Sequence, residues 1–228
     1  MLLSRPAVPA GFLYNFHVDR IPAFDRLAAL YREHGYNLYL VGGTSRDLLL
    51  GLHPDDLDAC TDATVEEAVA FLPIGVDLSF QRFGRVKMGK EDGKMEITTL
   101  REEGPYLDHR HPSYLKFIKD LKTDSLRRDF TVNAIYLGAD YVPVDFHGGL
   151  KDLEKRLIKT IGDPYLRFQE DPLRIPRAER LAARLGFSIE QKTMEALKAC
   201  YPLLAELNPA KLKEEERKGW TWPKSIKR

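Results

Sequence analysis

The stretch LVGGTSRDLLLGLHPDDLDACTDAT, from Leu40 to Thr64, decides the fold. An apolar run ends at Gly42 and Gly43, a short helical pattern follows and closes at Gly51, and the sequence Asp-Leu-Asp comes next. Glycine lets backbone N–H groups approach an anion, and the N-terminus of a helix favours negative charge. The stretch therefore predicts a strand, a phosphate-binding glycine turn, a helix and a second strand that carries acids.

The acids of this stretch are spaced for a metal ion. Asp56 and Asp58 are separated by one residue, and alternate side chains of a strand share a face. Two like charges held close together repel unless a cation lies between them, and Mg²⁺ prefers oxygen ligands. Glu96, between apolar Met95 and Ile97, is predicted on the polar face of another strand and can join them. The alternative is a solvated acidic turn and an exposed strand glutamate.

The helix after the glycine turn carries a cation in its first turn. Arg46 can make a charge-assisted contact with a triphosphate, and Asp47 can orient it or cap locally. Thr44 or Ser45 is predicted to open this helix. The alternative is a tight strand-to-helix turn without a ligand.

The remaining pattern predicts an α+β protein. Helical periodicity covers Pro22–Gly35, and strand-like segments flank a hairpin turn at residues 91–93. The polar segment Arg101–Ser113 is predicted to be a mobile loop, followed by a short strand. Helical patterns dominate from Ser125 onward. After the first stretch, the predicted strands are GVDLSFQ, RVKMGK, KMEITTL and YLKFI. The predicted helices are ATVEEAVAFL, SLRRDFTVNAIYL, GLKDLEKRL, PYLRFQED, PLRIPRAERLAARLGF and IEQKTMEALKACYPLLAEL.

The composition bounds the function classes. The formal net charge of +1 excludes a global positive field for nucleic acid, so basic surface must come from local clusters. Cys60 and Cys200 match no metal-binding spacing and fit a reducing compartment. No apolar run reaches the length of a membrane span, and the N-terminal segment lacks the apolar core of a signal peptide. A cytoplasmic location without a membrane partner is therefore predicted.

Four ordered motifs carry a family resemblance. They are LVGGTSRDLLLG…DDLDACTDAT, EITTLREEGPYLDHRHPS, LRRDFTVNAIYL and EDPLRIPRAERLAARLGF. They resemble the motifs of the class II tRNA nucleotidyltransferase family, which contains the CCA-adding enzymes and bacterial poly(A) polymerases of the polymerase-β-like superfamily. The resemblance implies an α+β nucleotidyltransferase head with a small mixed sheet and flanking helices, followed by an all-α neck. The implied divisions are a head at 1–150, a nucleotide-selecting neck at 151–210 and a basic tail at 211–228.

The resemblance also implies roles for individual residues. Asp56 and Asp58 match metal-binding carboxylates, and Glu96 matches an acid that some members add. The nucleotide-binding positions that it implies are Gly43, Arg46, Arg128, Asp129, Asn133, Asp171, Arg174, Arg177 and Arg180. Asp171 and Arg174 match the pair that reads the Watson–Crick edge of the incoming base.

The effect of one proline on the row of arginines in the last motif depends on its place in the helix. Pro176 lies inside the helical pattern, and beyond the first turn it would kink the helix and re-aim Arg177 and Arg180.

The activity implied is magnesium-dependent addition of CMP and AMP, from CTP and ATP, to the tRNA 3′ end. The terminal hydroxyl attacks the α-phosphorus and pyrophosphate leaves. Addition of A alone and poly(A) synthesis stay open as alternatives. Members of the family continue beyond this length, so a nucleotide- or RNA-binding head that needs a partner chain or a second copy stays open too. In the tail, Trp220 and Trp222 are predicted either to stack on nucleic acid or to lie in a frayed end.

Overall fold

The computed structural model describes residues 18–54, 56–73, 75–89, 94–106 and 112–222. The chain divides into two compact units. The first unit comprises Met1–Glu103, Leu115–Arg128 and Val132–Leu150. The second unit comprises Gly104–Tyr114, Asp129–Thr131 and Lys151–Arg228. In the described ranges, no helix is long and apolar enough to cross a membrane.

The first unit is built on a six-stranded mixed sheet. Among the described residues, the strands are β1 Leu38–Leu40, β2 Leu57–Thr61, β3 Arg85–Lys87, β4 Met95–Thr99, β5 Arg101–Glu103, β6 Leu115–Phe117, β7 Ile135–Leu137 and β8 Pro143–Asp145. The strand order of the sheet is β3-β4-β2-β1-β7-β8, and β5 and β6 form a separate antiparallel pair. In the sheet β2 and β4 run parallel, and the other neighbours are antiparallel. The helices are α1 Pro22–Glu33, α2 Gly42–Leu49, α3 Val65–Val69 and α4 Leu121–Leu126, and α5 Gly149–Glu154 contains the boundary between the units.

Local sequence explains the helix ends of this unit. Pro22 stands at the start of α1, where its missing N–H costs nothing, and the helix buries Phe24 and Tyr31 on one face. Thr64 and Glu67 form a reciprocal capping box at α3. The predicted helix at Pro22–Gly35 is therefore confirmed. Helix α3 covers only Val65–Val69 of the predicted helix ATVEEAVAFL.

Several predictions for the first unit are wrong. Ile135–Leu137 is a strand, not the end of a helix, and each of its residues is buried. The periodicity of a short apolar run does not distinguish a buried strand from a buried helix. Pairing with β1 and β8 makes Ile135–Leu137 a strand. Pro143–Asp145, for which no element was predicted, is a strand as well. Arg101–Glu103 is strand β5, not loop, because it pairs with β6. The segment GVDLSFQ forms no named strand and contributes only a bridge from Asp77 to Lys87. The predicted turn at residues 91–93 lies outside the described residues.

The second unit is mainly helical. Its helices are α6 Pro164–Glu170, α7 Arg174–Leu185, α8 Gln191–Cys200 and α9 Pro209–Arg217. A two-stranded parallel sheet of β9 Leu157–Ile158 and β10 Ser188–Ile189 accompanies them, which the all-α prediction missed. Two-residue strands carry too short a pattern to be read from sequence.

Candidate active site

The glycine turn lies directly beside one of the predicted acids. Helix α2 begins at Gly42, whose φ of 70° is in the left-handed region that favours glycine. A Cβ built on Gly42 would lie 3.4 Å from Oδ2 of Asp58. The backbone therefore passes close to the Asp58 carboxylate, and any other residue at position 42 would be strained by the positive φ.

Thr44 fastens the acidic segment to this helix. Its fully buried hydroxyl donates to the carbonyl oxygen of Asp56 at 3.1 Å and accepts from the N–H of Asp58 at 2.7 Å. The prediction that Thr44 or Ser45 opens the helix is wrong, because the residue before α2 is Val41 and no side chain caps it. Sequence reasoning missed this role, since the partners of the hydroxyl lie more than ten residues away along the chain.

Asp58 and Glu96 are brought together by the sheet. They occupy paired positions of the parallel strands β2 and β4, so their side chains share a face. Asp58 remains accessible to solvent, yet the surrounding protein and the neighbouring Glu96 carboxylate raise the pKa of Asp58 to about 6. A cation bound there would relieve both effects, and two carboxylates offer the oxygen ligands that Mg²⁺ prefers.

Asp56 is placed differently from its prediction. It lies one residue before β2, is largely exposed, and pairs with Nζ of Lys94 at 2.9 Å. Glu96 also has cations nearby, with Arg85 at 2.9 Å and Lys87 at 3.5 Å. Among the described residues, no three acidic, histidine or cysteine side chains are grouped to hold one metal ion. The structure thus places Asp58 and Glu96 side by side, whereas Asp56 forms an ion pair with Lys94.

Arg46 is buried within the first unit. Its Nε donates to Asp47 at 2.8 Å, and its Nη1 donates to the side-chain oxygen of Asn133 at 2.6 Å. A Cβ on Gly43 would lie 3.4 Å from Nη2 of Arg46, so the second glycine leaves room for this guanidinium. Arg46 and Asn133 therefore contact each other directly. Their contact with a nucleotide stays a prediction.

Arg128 belongs to a buried ionic cluster that sequence reasoning did not find. The fully buried Asp124 accepts from Nη2 of Arg128 at 2.8 Å, from Nε of Arg127 at 2.8 Å and from the hydroxyl of Tyr136 at 2.9 Å. Burial alone would raise the pKa of Asp124, but the two guanidinium groups and these hydrogen bonds hold it well below its usual value. The charge of Arg128 also opposes the rise in the pKa of Asp58. No sequence pattern marked Asp124, since it lies upstream of the motif.

In the second unit, the arginines of the predicted row pair with carboxylates. Arg177 donates through Nε at 3.0 Å and Nη2 at 2.6 Å to Oδ2 of Asp129, which raises the pKa of Arg177. Arg180 donates to Glu215 at 3.0 Å. The predicted kink does not arise, because Pro176 is the third residue of α7 and lies in its first turn.

The predicted base-reading pair lies where α6 ends and α7 begins. Asp171 follows α6 and accepts at Oδ1 from the N–H of Leu173 at 3.1 Å. Arg174, the first residue of α7, is 4% exposed and donates to Glu170 at 2.9 Å and to the carbonyl of Arg167 at 2.8 Å. Both residues are held by local contacts, and their role in base reading stays a prediction.

The tail prediction is corrected at one residue. Trp220 is 2% exposed and its Nε1 donates to Glu179 at 2.8 Å, so its ring does not offer a surface for stacking. It lies beyond the charged helix α9, where burial could not be read from composition.

The mixed sheet, the glycine turn and the acids on neighbouring strands define an α+β head of the polymerase-β-like class. The model of the Poly A polymerase head domain family matches residues 38–159, more than half of the chain, and the chain belongs to this family.

Individual relatives are similar over most of the chain. A CCA-adding enzyme of Geobacillus thermodenitrificans is 40% identical over 200 residues, which are 86% of this chain and 49% of the relative. A CCA-adding enzyme of Streptococcus pyogenes is 41% identical over 177 residues, which are 78% of this chain and 44% of the relative. The chain therefore spans about half the length of the curated relatives that it matches.

Solved structures show the same fold. The Bacillus stearothermophilus CCA-adding enzyme in complex with CTP matches with a TM-score of 0.78 and 33% identity, over 87% of this chain and 49% of that one. A tRNA nucleotidyltransferase complexed with a primer tRNA and an incoming ATP analog matches with a TM-score of 0.68 and 33% identity, over 85% of this chain and 55% of that one. The predicted α+β class and polymerase-β-like head are confirmed.

Proposed function

We propose that this chain is the nucleotidyltransferase head of an enzyme that adds CMP and AMP, from CTP and ATP, to the tRNA 3′ end and releases pyrophosphate. The observation that carries the proposal is the Asp58–Glu96 pair, which is in register on parallel strands, with Asp58 3.4 Å from the Cβ position of the glycine turn. The names and bound molecules of the similar enzymes support the substrate class.

Mg²⁺ is the cofactor we propose, held by Asp58 and Glu96; Asp56 would join them on leaving its ion pair with Lys94. When bound, it supplies a charge that neutralises the reacting phosphate and lowers the pKa of the attacking hydroxyl. The residues of the chain do the rest. The N–H groups that follow Gly42 hold the triphosphate, and Asp58, with its pKa of about 6, is ionised at neutral pH.

Base choice is assigned to Asp171 and Arg174. A carboxylate accepts from the exocyclic amine that cytosine and adenine both carry, and a guanidinium donates to ring acceptors. The N–H of Leu173 and the carboxylate of Glu170 orient the two side chains, which supports a fixed reading geometry. A cytoplasmic location remains a prediction.

The test is gel-resolved extension of three tRNAs, which end before CCA, after C and after CC. Each is incubated with Mg²⁺ and CTP, ATP or both. Asp58→Asn is expected to abolish extension, because the acid at the centre of the pair is lost. Glu66→Gln, which removes an exposed acid of α3 in the same unit, is the matched control and is expected to behave as wild type.

The outcomes separate the candidate functions. Ordered growth that stops at CCA supports CCA addition. Growth from the CC end alone means an A-adding enzyme, and unlimited growth with ATP means a poly(A) polymerase. Nucleotide binding without extension means a head that needs a partner chain or a second copy.

A further inference from the structure

A group of aromatic and basic side chains lies beside the acids of the first unit. We call Phe80, Arg82, Phe83 and Lys87 the aromatic–basic patch. Phe80 is 41% exposed. The guanidinium carbon of Arg82 lies 4.6 Å from the ring centroid of Phe83, and Nζ of Lys87 lies 4.7 Å from that of Phe80.

The patch is built by specific local geometry. Arg82 and Phe83 belong to the short 3-10 turn Gln81–Phe83, which ends at Gly84 with a φ of 72°. Arg101 donates to the carbonyl oxygen of Phe83 at 2.8 Å and fixes the backbone that carries the patch. The rings are thus held in place while staying partly exposed.

The patch is contiguous with the acids. Nζ of Lys87 lies over the Phe80 ring and 3.5 Å from Glu96, so one ammonium group joins the aromatic surface to the Asp58–Glu96 pair. Lys87 and Glu96 are paired positions of β3 and β4. Lys87 of the patch therefore contacts Glu96 of the acid pair directly.

The strand order sets the direction of approach. Across the sheet β3, β4, β2 and β1 are successive neighbours, and the glycine turn follows β1. The glycine turn lies on the Asp58 side of the acid pair, and the patch lies on the Glu96 side. In phosphoryl transfer the attacking and leaving oxygens are roughly in line, on opposite sides of the phosphorus. With the triphosphate at the glycine turn, an in-line hydroxyl is expected on the Glu96 side of the pair, where Lys87 and Phe80 lie.

We propose that the aromatic–basic patch holds the single-stranded 3′ end of the RNA acceptor. Exposed rings give stacking surfaces for unpaired bases, and the cations beside them contact the backbone phosphates. This inference rests on the proposed function, because it assigns the acceptor-binding surface of the same site.

The test is fluorescence anisotropy of a labelled single-stranded RNA heptamer ending in CC, titrated with the full chain at several salt concentrations. Phe80→Leu removes a π-face, and Arg82→Glu reverses an exposed charge. Arg32→Glu makes the same charge change at an exposed position of α1 and is the matched control. CTP affinity is measured in parallel for every variant.

Phe80→Leu is expected to weaken RNA binding by about 5- to 150-fold, the range for removal of one base-stacking ring. Arg82→Glu is expected to weaken it too, and to reduce the slope of log affinity against log salt by about 0.7 for each phosphate that is no longer neutralised. Arg32→Glu and all CTP affinities are expected to stay within about twofold of wild type.

RNA affinity unchanged in both patch variants overturns the proposal, as does an equal fall in Arg32→Glu or no RNA binding by wild type. A parallel fall in CTP affinity overturns it as well, since the patch would then act on the whole site. Wild type that extends tRNA while the patch variants bind RNA normally leaves the proposed function standing. Wild type that binds RNA through the patch but extends nothing supports the patch, and means that the chain alone is a head that needs a partner chain or a second copy.

Discussion

Replacing Thr44 with valine tests the hydrogen bonds by which helix α2 holds the backbone of Asp56 and Asp58. Valine keeps the shape of threonine and puts a methyl group where the hydroxyl bonds to Asp56 and Asp58. A buried group left without its hydrogen bond costs about 1–3 kcal/mol. Water can replace the hydroxyl at the exposed Asp56, so we count only the Asp58 N–H in full. We therefore expect a decrease of about 1–3 kcal/mol in unfolding free energy, and a fall in Tm of roughly 2 to 12 °C.

The same substitution should affect catalysis more than binding. Asp58 is deprived of its backbone anchor, and a displacement of about 1 Å at a reacting centre can cost about 100-fold in rate. We expect Thr44→Val to lower kcat by about 10- to 100-fold, to raise the Mg²⁺ concentration for half-maximal extension, and to leave KM for CTP nearly unchanged. Thermal melting and extension kinetics across a Mg²⁺ series measure these effects.

Thr44→Ser provides the control, because it retains the hydroxyl and both of its bonds. Wild-type kcat and Mg²⁺ requirement in Thr44→Val would refute the anchoring role. Equal damage in the serine variant would show that the methyl group, not the hydroxyl, matters.

Three further predictions concern the first unit. Gly42→Ala, measured by CTP titration and extension, should lower activity by at least about tenfold, because the strain of a positive φ displaces the backbone next to Asp58; a fully active variant would contradict this. The pKa of Asp58 is raised in the folded chain, so Mg²⁺-free stability should decrease as pH rises from about 4 to about 6, and stabilisation by Mg²⁺ should grow over the same window. Melting curves at several pH values test both trends, which Asp58→Asn should abolish. Asp124→Asn should cost about 3–5 kcal/mol, read by urea unfolding, because it leaves two arginines without their buried carboxylate; a decrease below about 1 kcal/mol would contradict the cluster.

The predictions that succeeded rest on strong local signals. Helix α1 follows from its apolar periodicity and Pro22, and the turn at Gly42 follows from paired glycines before a helix pattern. Asp58 and Glu96 were predicted on polar faces from strand alternation, and the parallel pairing of β2 and β4 places them side by side. Period and turn chemistry are properties of the chain itself, so they can be read without coordinates.

The predictions that failed depended on partners far along the chain. Ile135–Leu137 became a strand because β1 and β8 flank it, and Arg101–Glu103 became one because β6 pairs with it. Likewise, Asp56 pairs with Lys94 across many intervening residues. Such long-range pairings override local sequence preferences, so they cannot be read from a short segment alone.

By itself, the sequence determined the α+β class, the glycine turn, the acids and the order of the four motifs, because spacing and residue type are local quantities. Only the tertiary structure decided that Thr44 anchors the acids, that Asp124 is buried with Arg127 and Arg128, and that the Phe80 ring meets Glu96 through Lys87. Each of these arrangements depends on burial or strand pairing that no local spacing encodes. Sheet pairing and burial bring the groups together, so the arrangements exist only once the chain has folded.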